Sequence, residues 1–548
     1  MILQRLYEHR TDLDLPPIGY ALVTVHWLID LDAEGNFEGF VGLPKGRTME
    51  VPTLGRGSDV KPILLADNAE HVFGIARDGA TEKQREKVPE KHEAFVELVR
   101  ECAEATKEPS VEAVLSFLTS GRVPDDHYTG DFKHGDRFVF RVVDTIPTEL
   151  SRVQGFWARK LEEQATAGAP VMQCLVTGET RPIPRVLPGS IKGLKAIGGE
   201  AAGCSLLSAK NASTHHYGRE GAHNFPVSWE ASERIYSVLN ALVAAHKKNS
   251  IRVGDMIFVF WAKEADTSFF VTLDSPPRPE QLADLLRSPF TGREIHGIEG
   301  DEFYVVALGA VKKRANIRDY FEAPVVRAKA NLWRWFDAQR RVGERLLSVR
   351  DLARTCYSDE DKMFSSVVLE LMHTAVMRER LSAGLLAKVV ARNRAERSVR
   401  YERAVLLELY FEYARGGEMD AHKEAVKTCG RLLAEYEAVK RAANPDANDA
   451  QGQYYAVVVN NPARGLAMVE KRTKPYMARL RREKPGLAHI LADRIDNLMM
   501  QVGEQFPTNL GLEDQGMFAL GYHQQRAEDA QEIAARVAAR NTQTLEVS

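Results

Sequence analysis

Basic residues are the chemistry-bearing groups set most densely in this sequence, and the chemistry they fit is the binding of a polyanion. Between Arg464 and Lys484 lie Arg464, Lys471, Arg472, Lys474, Arg479, Arg481, Arg482 and Lys484 against Glu470 and Glu483, a net charge of +6. Between Arg378 and Arg403 lie Arg378, Arg380, Lys388, Arg392, Arg394, Arg397, Arg400 and Arg403 against Glu379, Glu396 and Glu402, a net +5. A guanidinium or ammonium pairs with a phosphate whatever the neighbouring base, so such runs suit sequence-independent contact with a nucleic-acid backbone. The competing reading is a solvated helix face paired with acidic neighbours. Tyr476 and Tyr401 stand among these charges, where a ring either stacks on an exposed base or anchors its helix to the protein. Lys192 and Lys195 flank Gly193 in the most Gly-rich segment, where backbone can approach a polyanion closely.

Catalytic signatures are missing. A Walker A loop needs Gly-Lys to wrap phosphates, and the chain has no Gly-Lys dipeptide. HExxH, GxSxG and the His-Asp doublet of metal phosphohydrolases are absent too. Asp30-Leu31-Asp32-Ala33-Glu34-Gly35 imitates the start of a calcium loop, but Val41 at the twelfth position supplies no carboxylate, so a hairpin turn is expected. His215-His216 lack a carboxylate or thiol at ligand spacing, which favours plain loop histidines. Five scattered cysteines form neither a CxxC nor a metal cluster, so no cofactor and no metal are expected. No secretion signal or membrane-spanning run is present, which makes the cytoplasm the expected compartment.

The elements that position these residues divide along the chain. The 548 residues, 44% hydrophobic, suggest several domain-sized units. Runs such as Tyr20 to Ile29, Met256 to Trp261 and Phe303 to Leu308 read as strands. Phe95, Leu98, Val99 and Cys102 read as one amphipathic helix, and Ser110 precedes a second that runs through Leu118. From Gly178 to Pro226, Gly and Pro are too frequent for regular elements. After Leu346 only helical patterns remain, interrupted by Arg415-Gly416-Gly417, by the turn-rich stretch from Ala443, and by Pro475 within the first basic run. The last of them, from Leu487 to Phe506, is expected to stop at Pro507. The expected class is α+β: a mixed region over 1–345, a helical connection over 346–418 and a helical bundle over 419–548. The net charge of −3 argues against a nucleic-acid partner only as an average, because the basic runs are local.

A collinear series of short blocks resembles the large subunit of the type I-C CRISPR Cascade complex, a Csd-type protein. It opens with Met1-Ile2-Leu3-Gln4-Arg5-Leu6-Tyr7-Glu8, then Pro62-Ile63-Leu64-Leu65-Ala66-Asp67-Asn68 and Val72-Phe73-Gly74. In the middle come Cys174-Leu175-Val176-Thr177-Gly178-Glu179, Ile191-Lys192-Gly193, Tyr217-Gly218-Arg219-Glu220 and Asn224-Phe225-Pro226-Val227-Ser228. Phe260-Trp261-Ala262, Phe303-Tyr304 and Arg314 through Arg318 follow, and Phe506-Pro507, Glu513-Asp514-Gln515-Gly516 and Gly521-Tyr522-His523-Gln524-Gln525-Arg526 close the series. Two departures stand out. Lys210 occupies the place of a family Asn, with Asn211 displaced by one, and the ending differs from Gly-Tyr-Tyr-His-Gln.

The resemblance implies a non-catalytic subunit that reads the protospacer-adjacent motif of target double-stranded DNA while crRNA pairing reads the sequence. It implies partners as well: crRNA, the backbone, 5′-handle and small subunits, the displaced strand, and a helicase-nuclease recruited on target binding. It further implies that 419–548 resembles the small subunit and can be made separately from an internal start, for which Met419 is the candidate. Asn68, Lys192 and Asn224 lie in Gly- or turn-rich loops with donors that reach base edges or phosphates and are assigned to the motif-sensing surface; Lys195 and Lys210 are assigned to DNA binding. For each Asn, capping of its own turn is the competing reading. Arg392, Arg394, Arg472, Lys474, Arg479, Arg481 and Arg482 are assigned to single-stranded DNA. Two rival classes are a metal-dependent nuclease, tested by incubation with DNA and RNA plus divalent cation, and a structural scaffold.

Overall fold

The structure is a computed structural model that describes residues 2–9, 15–54, 60–76, 79–120, 132–133, 135–208, 216–263, 267–276, 301–359, 365–415, 420–445, 452–503 and 505–546. Lys210, His215 and Met419 lie outside the described residues. The chain forms two compact units, Met1–Gly193 with Ala202–Ala241, and Leu194–Ala201 with Leu242–Ser548.

The first unit holds strands β1 (Tyr20–Leu31), β2 (Phe37–Pro52), β3 (Ala66–Asp67) and β4 (Phe138–Val142) in the order β2-β1-β4-β3. β1 and β2 form an antiparallel hairpin, and β4 runs parallel to β1. The hairpin turn is the calcium-loop lookalike. The Asp32 carboxylate accepts from the backbone N–H groups of Glu34 and Asn36, at 3.0 and 2.7 Å, and Gly35 takes the positive φ that the tight reversal requires. Helices α1 (Ile2–Glu8), α2 (Ala69–Val72), α3 (Glu82–Glu86), α4 (Val88–Thr106), α5 (Pro109–Ser120) and α6 (Ser151–Thr166) complete this part. The apolar stripe of α4, Phe95, Leu98, Val99 and Cys102, is buried in a core shared with Phe117, Phe138, Phe140 and Trp157. Short strand β5 (Val171–Gln173) precedes the Gly-rich segment; β6 (Thr180–Pro182) lies within it, where Gly and Pro argue against regular elements, pairing antiparallel with β5, and α7 (Trp229–Ala244) follows it.

In the second unit β7 (Ser250–Val253), β8 (Met256–Ala262), β9 (Glu302–Val311) and β10 (Arg314–Pro324) make an antiparallel sheet in the order β10-β9-β8-β7. Every residue of β8 is buried, as its unbroken apolar run implies. Among the described residues helices follow without further strands: α8 (Val325–Arg340), α9 (Val349–Arg354), α10 (Ser365–Met377), α11 (Ala383–Glu396), α12 (Tyr401–Arg415), α13 (Ala421–Ala443), α14 (Tyr455–Val458), α15 (Pro462–Glu483), α16 (Pro485–Val502) and α17 (Leu512–Glu546). The α+β class is thus as the sequence implies. α16 stops at Val502, short of Pro507, because Gly503 with φ of 79° ends it first.

Helices α13 and α17 pack closely. A Cβ on Gly430 would lie 2.1 Å from the Phe518 carbonyl oxygen, and one on Gly521 would lie 2.0 Å from that of Lys427, so the two helices meet backbone to backbone. A polar network is buried in this seam. Tyr522 donates to Glu437 at 2.6 Å, and the Gln525 amide donates to Glu435 at 2.7 Å and to Asp529 at 3.1 Å. Burial, with the nearby Asp529 charge, pushes the Glu435 carboxyl up to about 7 against the opposing pull of Arg494 and Arg431.

Candidate nucleic-acid interface

One side of α15 is an exposed cationic surface. Asn461 caps its start by accepting from the Arg464 N–H at 3.0 Å, and Pro462 fits the first turn, where its missing N–H is not needed. Leu466, Val469, Thr473 and Leu480 are buried along one stripe. At 3.6 residues per turn, Arg464, Lys471 and Arg482 fall along the opposite line, with Arg472 and Arg479 on one flank and Lys474 and Arg481 on the other. All seven, and Lys484, are exposed. Glu470 pairs with Lys474 at 3.5 Å and Glu483 with Arg479 at 2.8 Å, each one turn apart. Both acids are thereby matched, and the surplus rests on Arg464, Lys471, Arg472, Arg481, Arg482 and Lys484. Arg472 is also fixed in place: its guanidinium lies 5.4 Å from the Tyr454 ring centroid and donates to the Tyr454 hydroxyl at 3.1 Å. From Arg464 to Lys484 this face extends about 30 Å.

Pro475 does not interrupt the helix. It lies on the exposed face, so the hydrogen bond it removes leaves a carbonyl that water can reach, and the buried stripe continues beneath it. Tyr476 and Tyr401 are both half-buried against the core, and the Tyr401 hydroxyl donates to the Arg345 carbonyl at 2.6 Å. Both rings act as anchors.

The second basic run is split. Arg394 and Arg397 at the end of α11 are exposed, whereas Arg392, Arg400 and Arg403 converge on Glu396. Arg403 is 1% exposed and donates to Glu396 at 2.5 Å. Burial alone would push the Glu396 carboxyl up, but hydrogen bonding and charge from Arg403, with Arg400 and Arg392, outweigh it and hold the group below its ordinary value.

The predicted loop residues are placed differently from one another. Asn68 is the N-cap of α2; its side-chain oxygen accepts from the His71 N–H at 3.3 Å. Asn224 ties its own loop: its oxygen accepts from the His216 N–H at 3.0 Å, and its amide donates to the Arg219 and Gly221 carbonyls at 3.0 and 3.1 Å. The turn it holds presents Tyr217, which is fully exposed. Lys192 is exposed in the first unit, and Lys195 is exposed on a 3-10 turn, Leu194–Ile197, of the second.

Three residues that the sequence reading passed over set the Lys192 loop. Ser232, Tyr236 and Asn240 stand one turn apart on α7. Ser232 donates to the Pro188 carbonyl at 3.1 Å, and the Tyr236 hydroxyl accepts from the N–H groups of Leu206 and Leu207 at 2.9 and 3.1 Å. Asn240 accepts from the Lys192 N–H at 2.8 Å and donates to the Ser190 carbonyl at 3.0 Å. Gly189, φ 91°, is needed here because a Cβ would lie 2.3 Å from the Tyr236 ring.

The family model described as CRISPR-associated protein (Cas_Csd1) matches residues 3–529, nearly the whole chain. The chain belongs to the Cas_Csd1 family. Among curated proteins none matches it. This membership makes it a CRISPR-associated, Cascade-type protein and agrees with the Csd-type large subunit that the sequence blocks resemble.

Within this Cas_Csd1 chain the resemblance blocks fall into two kinds. The closing block, Gly521 to Arg526, is the α13/α17 seam and serves packing. The blocks at Ile191, Tyr217 and Asn224 are loops whose backbones are tied down by side chains; Lys192, Gly193 and Tyr217 to Glu220 are exposed in them, whereas Ile191, Val227 and Ser228 are buried. Among the described residues of this Cas_Csd1 protein no group of three or more His, Cys, Asp or Glu is arranged to hold a metal, and no helix is long and apolar enough to cross a membrane.

Proposed function

We propose that this Cas_Csd1 chain is the large subunit of a type I-C Cascade complex, which reads the protospacer-adjacent motif of target double-stranded DNA, supports R-loop formation and recruits the helicase-nuclease. It works with crRNA and with the backbone, 5′-handle and small subunits, and it binds and positions DNA without cutting it. The observation that carries this reading is the face of α15, where exposed cations outnumber their acidic partners on a chain of CRISPR-associated family. Such a face suits sequence-independent hold on a displaced strand. The tied loops around Lys192 and Tyr217 suit motif sensing, because a fixed backbone holds their exposed side chains at set positions.

The test is to co-purify the chain with its neighbouring gene products, ask whether crRNA accompanies them, and compare binding to targets that differ only in the flanking trinucleotide. Retention of crRNA with motif-dependent binding is expected. Motif-independent binding by an assembled complex would leave a scaffold, and cleavage of labelled DNA or RNA by the purified chain with magnesium or manganese would make it a nuclease.

A further inference from the structure

The turn that Asn224 ties presents a side chain that contributes nothing to the packing of the fold. Tyr217 and Gly218, with φ of 53° and 71°, are the central residues of a tight reversal, closed by the Arg219 N–H donating to the His216 carbonyl at 2.9 Å. Turns with positive φ at both central positions favour Asn-Gly, and a tyrosine held there is strained. Groups outside the turn maintain the strain. Asn224 accepts from the His216 N–H and donates to the Arg219 and Gly221 carbonyls. Glu220 pairs with Arg185 at 3.0 Å, and the Ala222 N–H donates to the Arg185 carbonyl at 2.9 Å. Held in this way, the Tyr217 ring is fully exposed. A backbone conformation that costs energy, a ring that gains none by burial and tethers that preserve both mark a group held ready for a partner.

We infer that Tyr217 is a stacking platform for an unpaired nucleobase, with the Arg219 guanidinium beside it for the phosphate of the same strand. Sites for single-stranded nucleic acid combine aromatic rings with neighbouring cations, because every base has a flat face and every nucleotide a charge. His216 and Arg219 pair directly across the turn, so their side chains share one face of it. Arg219 is exposed and has no ion-pair partner among the described residues, whereas Arg185 is matched by Glu220. A protein partner fits less well. A tyrosine anchor in a protein interface fills a desolvated pocket within an apolar patch, and the neighbours of this ring in the turn, His216, Gly218, Arg219 and Glu220, are all exposed and none is apolar and large. This role of Tyr217 rests on the nucleic-acid reading above and specifies a contact for it, the face of a base and not its edge. The base belongs either to the opened DNA target or to the crRNA.

The experiment measures binding of the full chain, by fluorescence anisotropy, to a labelled DNA strand and to a strand of the same length whose nucleotides are abasic. Tyr217→Ala is expected to weaken binding to the base-bearing strand by about tenfold and to leave the abasic strand unaffected, while Tyr217→Phe binds as the parent does. Tyr217→Asn restores the favoured pair of turn residues, so it is expected to raise the melting temperature and still bind as weakly as Tyr217→Ala, which separates the lost contact from a lost fold. In the assembled complex, 2-aminopurine is placed in turn along the target strands and the crRNA. The strand whose emission rises in Tyr217→Ala is the source of the base. Equal losses on the base-bearing and abasic strands overturn the inference, as does no loss with Tyr217→Ala. Weaker retention of a partner subunit with strand binding unchanged makes the turn a protein contact and overturns it too. Motif-independent binding by a parent complex that still shows the Tyr217 effect rejects the recognition reading and leaves the stacking contact standing.

Discussion

Replacing Lys471, Arg481 and Arg482 together by Gln removes half of the six uncompensated charges on α15 and leaves its buried stripe and its cap untouched. Glutamine keeps helix propensity close to that of Lys and Arg, so the helix is expected to persist by circular dichroism. For single-stranded nucleic acid, each neutralised phosphate contributes about 0.7 to the slope of log K against log salt. Six contacts give a slope of about −4, and three give about −2. Between about 0.1 M and 1 M salt the lost contacts therefore account for about two decades of affinity, or about 3 kcal/mol. Fluorescence anisotropy with a labelled single strand across a salt series measures both quantities. The triple variant should bind about a hundredfold more weakly at the low-salt end and converge with the parent at the high end. A slope unchanged to within about half a unit, with the fold intact, refutes the assignment of this face to a phosphate track.

Three further outcomes are expected. Glu435, pushed up to about 7 by burial, binds its proton more tightly folded than unfolded, so its contribution to stability is full below the ordinary carboxylate range and is lost as pH rises through about 7. Glu435→Gln should accordingly raise stability at pH 8 by on the order of 3 kcal/mol and flatten the slope between about pH 5 and 7, as read by urea denaturation; an unchanged slope speaks against the burial of an ionised carboxylate. Gly521→Ala should cost about 3 kcal/mol through backbone overlap with Lys427, measured by the same denaturation, and a neutral result means that the helices are further apart. Tyr236→Phe should leave the Leu206 and Leu207 amides without their acceptor, cost about 1 to 2 kcal/mol and speed their hydrogen exchange, while exchange along α4 stays the same.

Much of the fold is written in local pattern. The β1/β2 hairpin is announced by Asp32 to Gly35, β8 by its unbroken apolar run, and α4 by Phe95, Leu98, Val99 and Cys102, because turn chemistry and periodicity act within a few residues. The α15 face was legible for the same reason, since charge and helical spacing suffice to place it. What could not be read was which partners distant segments supply. The run from Arg378 to Arg403 looked like one surface, yet Arg403 is buried and paired with Glu396 of α11, and no count of charges distinguishes it from the exposed Arg394. Asn224 carries the right donors for a base edge, but its loop closes so that the same donors hold the carbonyls of Arg219 and Gly221. Ser232, Tyr236 and Asn240 show helical spacing, but nothing local says that a loop tens of residues earlier lies on that helix.

That stripe on α7 makes the shape of the Lys192 loop a matter of register. A substitution at Ser232, Tyr236 or Asn240 releases one tether and leaves two. One residue inserted between Ser232 and Asn240 turns everything after it by about 100° and lifts the later tethers off the loop at once. Length in this stretch is therefore held more strictly than identity, and diversification of the loop by point changes remains open where diversification by insertion in the helix does not.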